Sequence, residues 1–193
     1  MSVLLISGSP SEHSRTAALL EAVGQRVAQH GVFVDRLVVR DLSPQALLLA
    51  DAGHPTVLGA TRQVERASAI VVATPVYKAA YSGLLKVFLD LLPQSGLKGK
   101  TVLPLATGGS AHHMLALDYA LRPVLQSLAA RQILPGVYAT EAQIAKSESG
   151  EYSIGPELNT RLDDAVETLF NEGLRTHRLR SAPIPFSQVR CSV

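Results

Sequence analysis

The chain has 193 residues, which predicts one domain that is large enough to bury a substantial hydrophobic core. Hydrophobic residues make up 47% of the sequence and charged residues 18%, a balance that excludes extensive intrinsic disorder. The net charge of +2 is too small to indicate a nucleic-acid-binding protein, and no apolar run reaches the length of a membrane-spanning helix.

The first elements alternate between strand and helix. Val3 to Ile6 is a short apolar run that ends in Ser-Gly-Ser-Pro, which is typical of a strand buried on both faces. From Arg15 the apolar residues recur with a helical period until Gly31, which ends the helix. The segment 32–39 favours a second strand, less buried than the first because it contains two charged residues.

The middle of the chain predicts a helical turn within 42–50, a helix over 57–67 and a third buried strand over 68–74. A helix over 84–92 follows, with leucine and phenylalanine on two separate stripes. A helix that is apolar on two stripes needs a second partner besides its own sheet, so we expect an interface between subunits there.

The last third predicts a fourth strand over 101–107, a long helix from about 113 to 130, a fifth strand over 133–138 and a final helix over 158–174. Pro104 is unfavourable within a strand because proline cannot donate to the ladder, but both flanks favour one. The tail from Arg175 carries four arginines and two prolines without periodicity, which indicates an arm or a disordered segment.

This alternation predicts an α/β fold, a doubly wound five-stranded parallel sheet with helices on both faces. We expect a single domain over residues 1–175 and a C-terminal arm over 176–193. Cys191 is the one cysteine, so an intramolecular disulfide and a cysteine-based zinc site are excluded and a reduced, cytoplasmic setting is expected. The N-terminus lacks a basic leader, so we expect no signal peptide.

Ligands of doubly wound sheets bind beyond the carboxyl ends of the strands, where three segments stand out. Loop 1 (residues 8–16) offers serines, a threonine, an arginine and the free N–H groups of a helix start, which suit a phosphate monoester. It matches neither the nucleoside-triphosphate motif nor the dinucleotide motif. The alternative is an ordinary helix start with Ser14 as N-cap.

Loop 2 (residues 74–83) presents backbone amides, the ring of Tyr77 and the cation of Lys78 beside a helix start. Such a segment can follow the edge of a flat heteroaromatic ring, and a positive group there would favour a reduced flavin. The alternative is a plain turn with Ser82 as the cap of the next helix.

Loop 3 (residues 107–113) contains Gly108 and Gly109, which allow a backbone to approach a ligand closely. His112 and His113 follow, but adjacent residues rarely bind one metal ion and no third ligand is near in the sequence. We therefore expect no metal site, and we assign loop 3 to a helix start or to the edge of a flavin.

The segments A-T-P-V-Y-K-A-A-Y-S-G (73–83) and L-P-L-A-T-G-G (103–109) resemble the NAD(P)H-dependent FMN reductases of flavodoxin-like fold, in particular those of bacterial alkanesulfonate utilisation. The resemblance implies hydride transfer from NAD(P)H to FMN, delivery of reduced FMN to a sulfonate monooxygenase, and a homodimer or homotetramer. It further implies that the FMN phosphate is held by Ser9, Ser14, Arg15 and Thr16. The isoalloxazine and ribityl chain would contact Pro75, Val76, Tyr77, Lys78, Ser82, Thr107, Gly108, Gly109 and Ser110.

Pro123 lies inside the predicted long helix and frees the carbonyl of Tyr119 from its usual hydrogen bond. The sequence allows either a π-bulge at Tyr119 or a simple proline kink. The same reductases carry an inserted tyrosine in a π-helix at a subunit interface, and the resemblance implies that it lets flavin enter and leave as a substrate.

Hydride transfer to a flavin depends on stacking and alignment more than on an acid or base, so we expect no catalytic residue of that kind. Two alternatives share the fold: a quinone or azo-compound reductase that retains its flavin, and a flavodoxin-type electron carrier. Residues 143–155 follow the family pattern weakly, and the sequence assigns them no role.

Overall fold

The computed structural model describes residues 1–174. The predicted C-terminal arm lies outside the described residues. Within residues 1–174, no helix combines the length and the apolar character that crossing a membrane demands.

A parallel sheet forms the centre of the molecule, as the sequence predicts. Its strands are β1 (Ser2–Ser7), β2 (Phe33–Val38), β3 (Ala69–Tyr77), β5 (Thr101–Gly108), β6 (Gln132–Ile133) and β7 (Val137–Thr140), with the two-residue β4 (Ala80–Tyr81) antiparallel to β3. The order is β2-β1-β3-β5, with β6 and then β7 beside β5. This order is that of a flavodoxin-like fold, and it confirms the predicted architecture.

In the described part of the chain, six α-helices cover both faces of the sheet: α1 (Arg15–Gln29), α2 (Pro44–Leu48), α3 (Pro55–Arg66), α4 (Gly83–Leu89), α5 (Arg122–Ser127) and α6 (Pro156–Thr168). Alternate residues of β1 point to opposite faces, so Leu4 belongs to one core cluster and Leu5 to the other. Helices α1 and α6 pack on the Leu5 face, whereas α2 to α5 pack on the Leu4 face.

The helix predicted over 113–130 is not one continuous α-helix. A 3₁₀ turn spans Ala111–Leu115, a π-helix spans Leu117–Leu121, and only then does α5 begin. The N–H of Arg122 bonds to the carbonyl of Leu117, five residues back, because Pro123 has no N–H to continue the α pattern. Of the two alternatives that the sequence left open at Tyr119, the structure has a π-helical turn and not a simple proline kink.

The predicted fifth strand is broken into β6 and β7 by Leu134-Pro135-Gly136. This break explains how β5 accommodates Pro104. The N–H of Leu134 donates to the carbonyl of Val102 over 2.9 Å, and residue 104 faces the same neighbour as residue 102. The nitrogen of Pro104, which has no hydrogen to donate, therefore faces the break, where β5 has no neighbouring strand to bond to.

The helix predicted over 84–92 ends at Leu89, and the two apolar stripes of this segment are buried largely within the chain. Leu85, Phe88, Leu89, Leu91 and Leu92 are all buried in the core against the sheet and its neighbouring helices. The pattern therefore does not require a second subunit, contrary to the inference from the sequence.

The end of the described chain adds two features that the sequence did not predict. The final helix is α-helical only to Thr168 and continues as a π-helix over Leu169–Leu174. Residues 144–154 form a small antiparallel hairpin of β8 (Ile144–Lys146) and β9 (Tyr152–Ile154), preceded by a 3₁₀ turn over Glu141–Gln143.

Candidate active site at the carboxyl ends of the strands

Loop 1 is folded so that its backbone donors face outward from the start of α1. Ser14 is the N-cap, and its Oγ accepts the N–H of Ala17 over 3.1 Å. The first N–H groups of the helix, those of Arg15 and Thr16, have no carbonyl partner within the helix. Ser9 is buried, and its Oγ both donates to the carbonyl of Ser11 and accepts the N–H of Ser11 at 3.2 Å. The helix-cap interpretation of Ser14 and an anion-binding helix start are therefore both compatible with the same geometry.

Two side chains tie loop 1 to the rest of the site. The hydroxyls of Thr16 and Thr107 share a buried hydrogen bond of 2.6 Å, which joins the start of α1 to the end of β5. Arg15 turns away from α1, where its Nε donates to the carbonyl of Ile144 over 3.1 Å and its Nη1 lies 3.3 Å from Glu141 Oε2.

Loop 2 is anchored from beneath by two buried hydroxyls. Thr74 Oγ1 donates to the carbonyl of Pro75 and accepts the N–H of Ser82, both over 2.9 Å. Ser82 Oγ donates to the carbonyl of Gly8 over 2.6 Å and accepts the N–H of Leu85 over 3.1 Å, so it caps α4 and fixes loop 1 to loop 2. A side chain at Gly8 would come within 2.8 Å of Leu85 Cβ, which explains why glycine stands at this crossing.

The tip of loop 2 is a tight hairpin between β3 and β4. Lys78 and Ala79 form its turn, and both have positive φ, 49° and 63°. Residues with a β-carbon pay roughly 1 kcal/mol or more for this conformation. The turn presents Tyr77, which is about half exposed, at the rim of the site. Strain of this kind is often found where a loop must hold a fixed shape for a ligand.

Loop 3 is held by Tyr138 of β7. The Tyr138 hydroxyl donates to the carbonyl of Ser110 over 2.6 Å, and its Oη occupies the space that a β-carbon on Gly108 would need. Burial raises the pKa of the Tyr138 phenol above its usual value, and the nearby carboxylate of Glu141 raises it further. The phenol therefore stays protonated and keeps donating at neutral pH.

The β8–β9 hairpin closes the open side of loop 1. Tyr152 of β9 places its hydroxyl 3.4 Å from the carbonyl of His13, and Ile144 of β8 accepts the bond from Arg15. Tyr152, which belongs to the segment 143–155 to which the sequence assigned no role, thus lies beside loop 1.

These contacts bring most of the predicted site residues around one cavity of about 210 Å³. Its lining comprises the predicted residues Ser9, Ser14, Arg15, Thr16, Pro75, Val76, Tyr77, Thr107, Gly108 and Gly109, together with Ser11, His13, Glu141 and Tyr152, which sequence reasoning missed. Three predicted residues lie outside this lining. Ser82 is buried beneath it, Lys78 is at the exposed hairpin tip, and Ser110 caps the 3₁₀ turn after loop 3 by accepting the N–H of His112.

The two histidines of loop 3 are exposed in the 3₁₀ turn and lie outside the cavity lining. Among the described residues, no three His, Cys, Asp or Glu side chains come together in a way that could hold a metal ion. The π-helix that follows contacts β4, and its Tyr119 is 79% exposed.

Residues 1–144 match the family of NADPH-dependent FMN reductases. The chain belongs to this family. The expected enzyme class, an NAD(P)H-dependent FMN reductase that acts with FMN and NAD(P)H, is thereby confirmed.

Individual relatives agree with the family assignment. The chain is 45% identical over 170 residues to FMN reductase (NADPH) of Escherichia coli strain K12, covering 88% of each protein. It is 46% identical over 169 residues to FMN reductase (NADPH) of Pseudomonas putida strain KT2440, covering 87% of this chain and 86% of the relative. Among solved structures, the apo form of the NADH:FMN oxidoreductase EmoB superposes with a TM-score of 0.78 at 41% identity, over 86% of both chains.

Proposed function

We propose that this FMN reductase uses flavin as a substrate that is bound, reduced and released, and that it supplies free reduced FMN to a sulfonate monooxygenase. The observation that carries the proposal is the convergence of three backbone-rich loops on one open cavity at the carboxyl ends of the strands. The cavity combines hydroxyls and helix N–H groups at one end with prolyl, valyl and tyrosyl surfaces at the other, which suits a phosphate joined to a flat ring.

The residues of loop 1 suit the FMN phosphate. The unpaired N–H groups at the start of α1 and the hydroxyls of Ser9, Ser11 and Ser14 lie in the cavity lining. These donors, together with the positive end of the helix dipole, are the groups that bind a phosphate monoester in other α/β proteins. Arg15 adds a cation at the same end of the cavity.

The residues of loops 2 and 3 suit the ring and the ribityl chain. Pro75, Val76 and Tyr77 offer a flat apolar edge with backbone amides, and Gly109 leaves room for close approach, whereas the space beside Gly108 is filled by Tyr138. A β-carbon added to Gly109 would meet no atom closer than 3.7 Å, so this part of loop 3 is open to the cavity. We assign Ser82 to the support of both loops, since its hydroxyl already has two partners.

Bound FMN supplies the hydride acceptor and NAD(P)H the hydride donor. The residues of this chain bind the phosphate, align the ring and leave one ring face accessible to NAD(P)H. Holding the two reactants in this geometry accelerates the hydride transfer. No acid or base from the chain is required for this step.

The cavity of about 210 Å³ is smaller than the roughly 300–1,000 Å³ that is usual for sites that bury a small ligand. In a single chain, part of a bound FMN would therefore stay exposed to solvent. The resemblance of segments 73–83 and 103–109 to the reductases of alkanesulfonate utilisation supports a sulfonate monooxygenase as recipient.

The exposed side of the π-helix supports a further part of the proposal, assembly into a homodimer or homotetramer. Met114, Leu115 and Tyr119 are each more than half exposed, and they lie within six consecutive positions at the start of the π-helix. We propose that a second subunit covers them, next to the loop 2 hairpin that the π-helix contacts.

The test is NADPH and NADH oxidation by the purified protein, with and without added FMN, after its visible spectrum is recorded. We expect a nearly colourless protein whose turnover saturates with micromolar FMN and whose product reaches an added flavin-dependent monooxygenase. A yellow protein that turns over only with a quinone or a dye would contradict the proposal and favour a flavin-retaining quinone or azo reductase. Absence of NAD(P)H turnover would favour an electron carrier.

A further inference from the structure

A carboxylate, that of Glu141, lies at the exposed rim of the cavity that suits the flavin phosphate. Glu141 is the first residue after β7, and the parallel register of β5 and β7 pairs Gly108 with Thr140. Glu141 is therefore level with Gly109, and its Oε1 lies 3.7 Å from the point where a Gly109 β-carbon would be. Its other oxygen, Oε2, lies 3.3 Å from Arg15 Nη1.

The backbone around this carboxylate is held by a local network. The turn that carries Glu141 is a capping box, in which the Thr140 N–H and hydroxyl both donate to Gln143 Oε1, over 3.0 and 3.4 Å. The Arg15 Nε bond to the carbonyl of Ile144, directly after the turn, fixes the guanidinium from the other side. The pairing of Arg15 with Glu141 is therefore built into the junction of α1, β7 and β8.

This pairing changes the charge of the cavity. Among the residues that line it, Arg15 and Glu141 carry the permanent charges, and they cancel. The FMN phosphate brings a charge of about −1.5 to −2 at neutral pH. It would have to share Arg15 with a carboxylate of the same sign as itself, whereas a flavin without a phosphate would not.

We infer that Glu141 is a specificity-determining residue that competes with the flavin phosphate for Arg15 and thereby lowers the affinity for FMN selectively. This inference rests on the proposed position of the phosphate at loop 1. Glu141 thus raises the rate at which FMN dissociates. The lower affinity at the phosphate allows the flavin to be exchanged.

The test is Glu141→Gln, which removes the charge but leaves an oxygen that can accept from Arg15. Dissociation constants for FMN and for riboflavin are measured by quenching of flavin fluorescence, and flavin release is followed by stopped flow. We expect FMN to bind about 5- to 20-fold more tightly and to dissociate more slowly, as removal of one nearby like charge predicts. Riboflavin affinity should stay within about twofold, and the gain for FMN should shrink as ionic strength rises.

Glu148→Gln is the matched control, because Glu148 is exposed in the turn of the β8–β9 hairpin and lies outside the cavity lining. It should leave both affinities unchanged. Weaker or unchanged FMN binding by Glu141→Gln would overturn the inference, and weaker binding would mean that the carboxylate serves to orient Arg15.

The position of the phosphate is tested separately. It is wrong if the unsubstituted protein binds FMN and riboflavin equally and Arg15→Gln changes neither affinity.

Discussion

The contact between Gly108 and Tyr138 allows a direct test of how loop 3 is held in place. Tyr138 Oη donates to the carbonyl of Ser110 over 2.6 Å, and a β-carbon on residue 108 would overlap that same oxygen. Gly108 is not among the glycines with positive φ, so alanine suits its backbone conformation. The obstacle to Gly108→Ala is therefore steric, and it lies in one hydroxyl group.

The magnitudes follow from these contacts. Gly108→Ala has to displace the Tyr138 hydroxyl and break its hydrogen bond, so we expect a loss of about 2–4 kcal/mol in the free energy of unfolding. Tyr138→Phe leaves the Ser110 carbonyl without this partner and costs about 1–2 kcal/mol. In the double variant, the nearest atom to the new β-carbon is the ring Cζ at 3.3 Å. The double variant should then be about 1–2 kcal/mol more stable than the sum of the single losses predicts.

The assay is urea unfolding of the unsubstituted protein and the three variants without flavin, followed by titration with FMN. We expect Gly108→Ala to weaken FMN binding and the double variant to regain part of it, because loop 3 can return to its position. Additivity of the two single losses within about 0.5 kcal/mol would refute this account, since it would mean that Tyr138 Oη and residue 108 do not compete for the same space.

Two further predictions concern the π-helix and a buried lysine. Tyr119→Ala should shift the protein to a smaller assembly, because it removes the most exposed large side chain of the π-helix. Size-exclusion chromatography with light scattering measures the mass of the assembly, and an unchanged mass would contradict the proposed interface. Burial lowers the pKa of Lys100 below 10.5 in the folded protein. Between that lowered pKa and about 10.5, Lys100 is protonated in the unfolded chain but not in the folded one. The free energy of unfolding should therefore rise with pH in this range. Urea unfolding across this pH range, with Lys100→Met as the comparison that should lack the rise, measures it.

The sequence predicted the order of strands and helices because the central strands contain short, continuous apolar runs. β1 and β3 illustrate this, since their residues are buried on both faces. It also predicted that loops 1, 2 and 3 lie together, because the carboxyl ends of parallel strands meet at one edge of the sheet. Pro123 and its missing N–H indicated where the long helix would be irregular, but they allowed a simple kink as well as the π-helix.

The sequence did not predict the contributions of residues that reach the site from far along the chain. Glu141 and Tyr152 are more than a hundred positions from loop 1, and no motif marks them. Their placement depends on the break after β6, which sets the register of β7 against β5, and on the β8–β9 hairpin. The break contains Pro135 and Gly136, and a β-carbon at residue 136 would come within 3.2 Å of the carbonyl oxygen of Pro104.

The arrangement of hydroxyls explains how the same loops can be rigid and still have donors available for a ligand. The hydroxyls of Thr74, Ser82 and Tyr138 lie below the site and form their hydrogen bonds with loop carbonyls or helix N–H groups. The N–H groups at the start of α1 and the open face of Gly109 are left facing the cavity. Because the loops are already in place before any ligand arrives, little binding energy has to be used to order them. Affinity can then be adjusted by a charge at the rim, and Glu141 beside Arg15 is placed to do so.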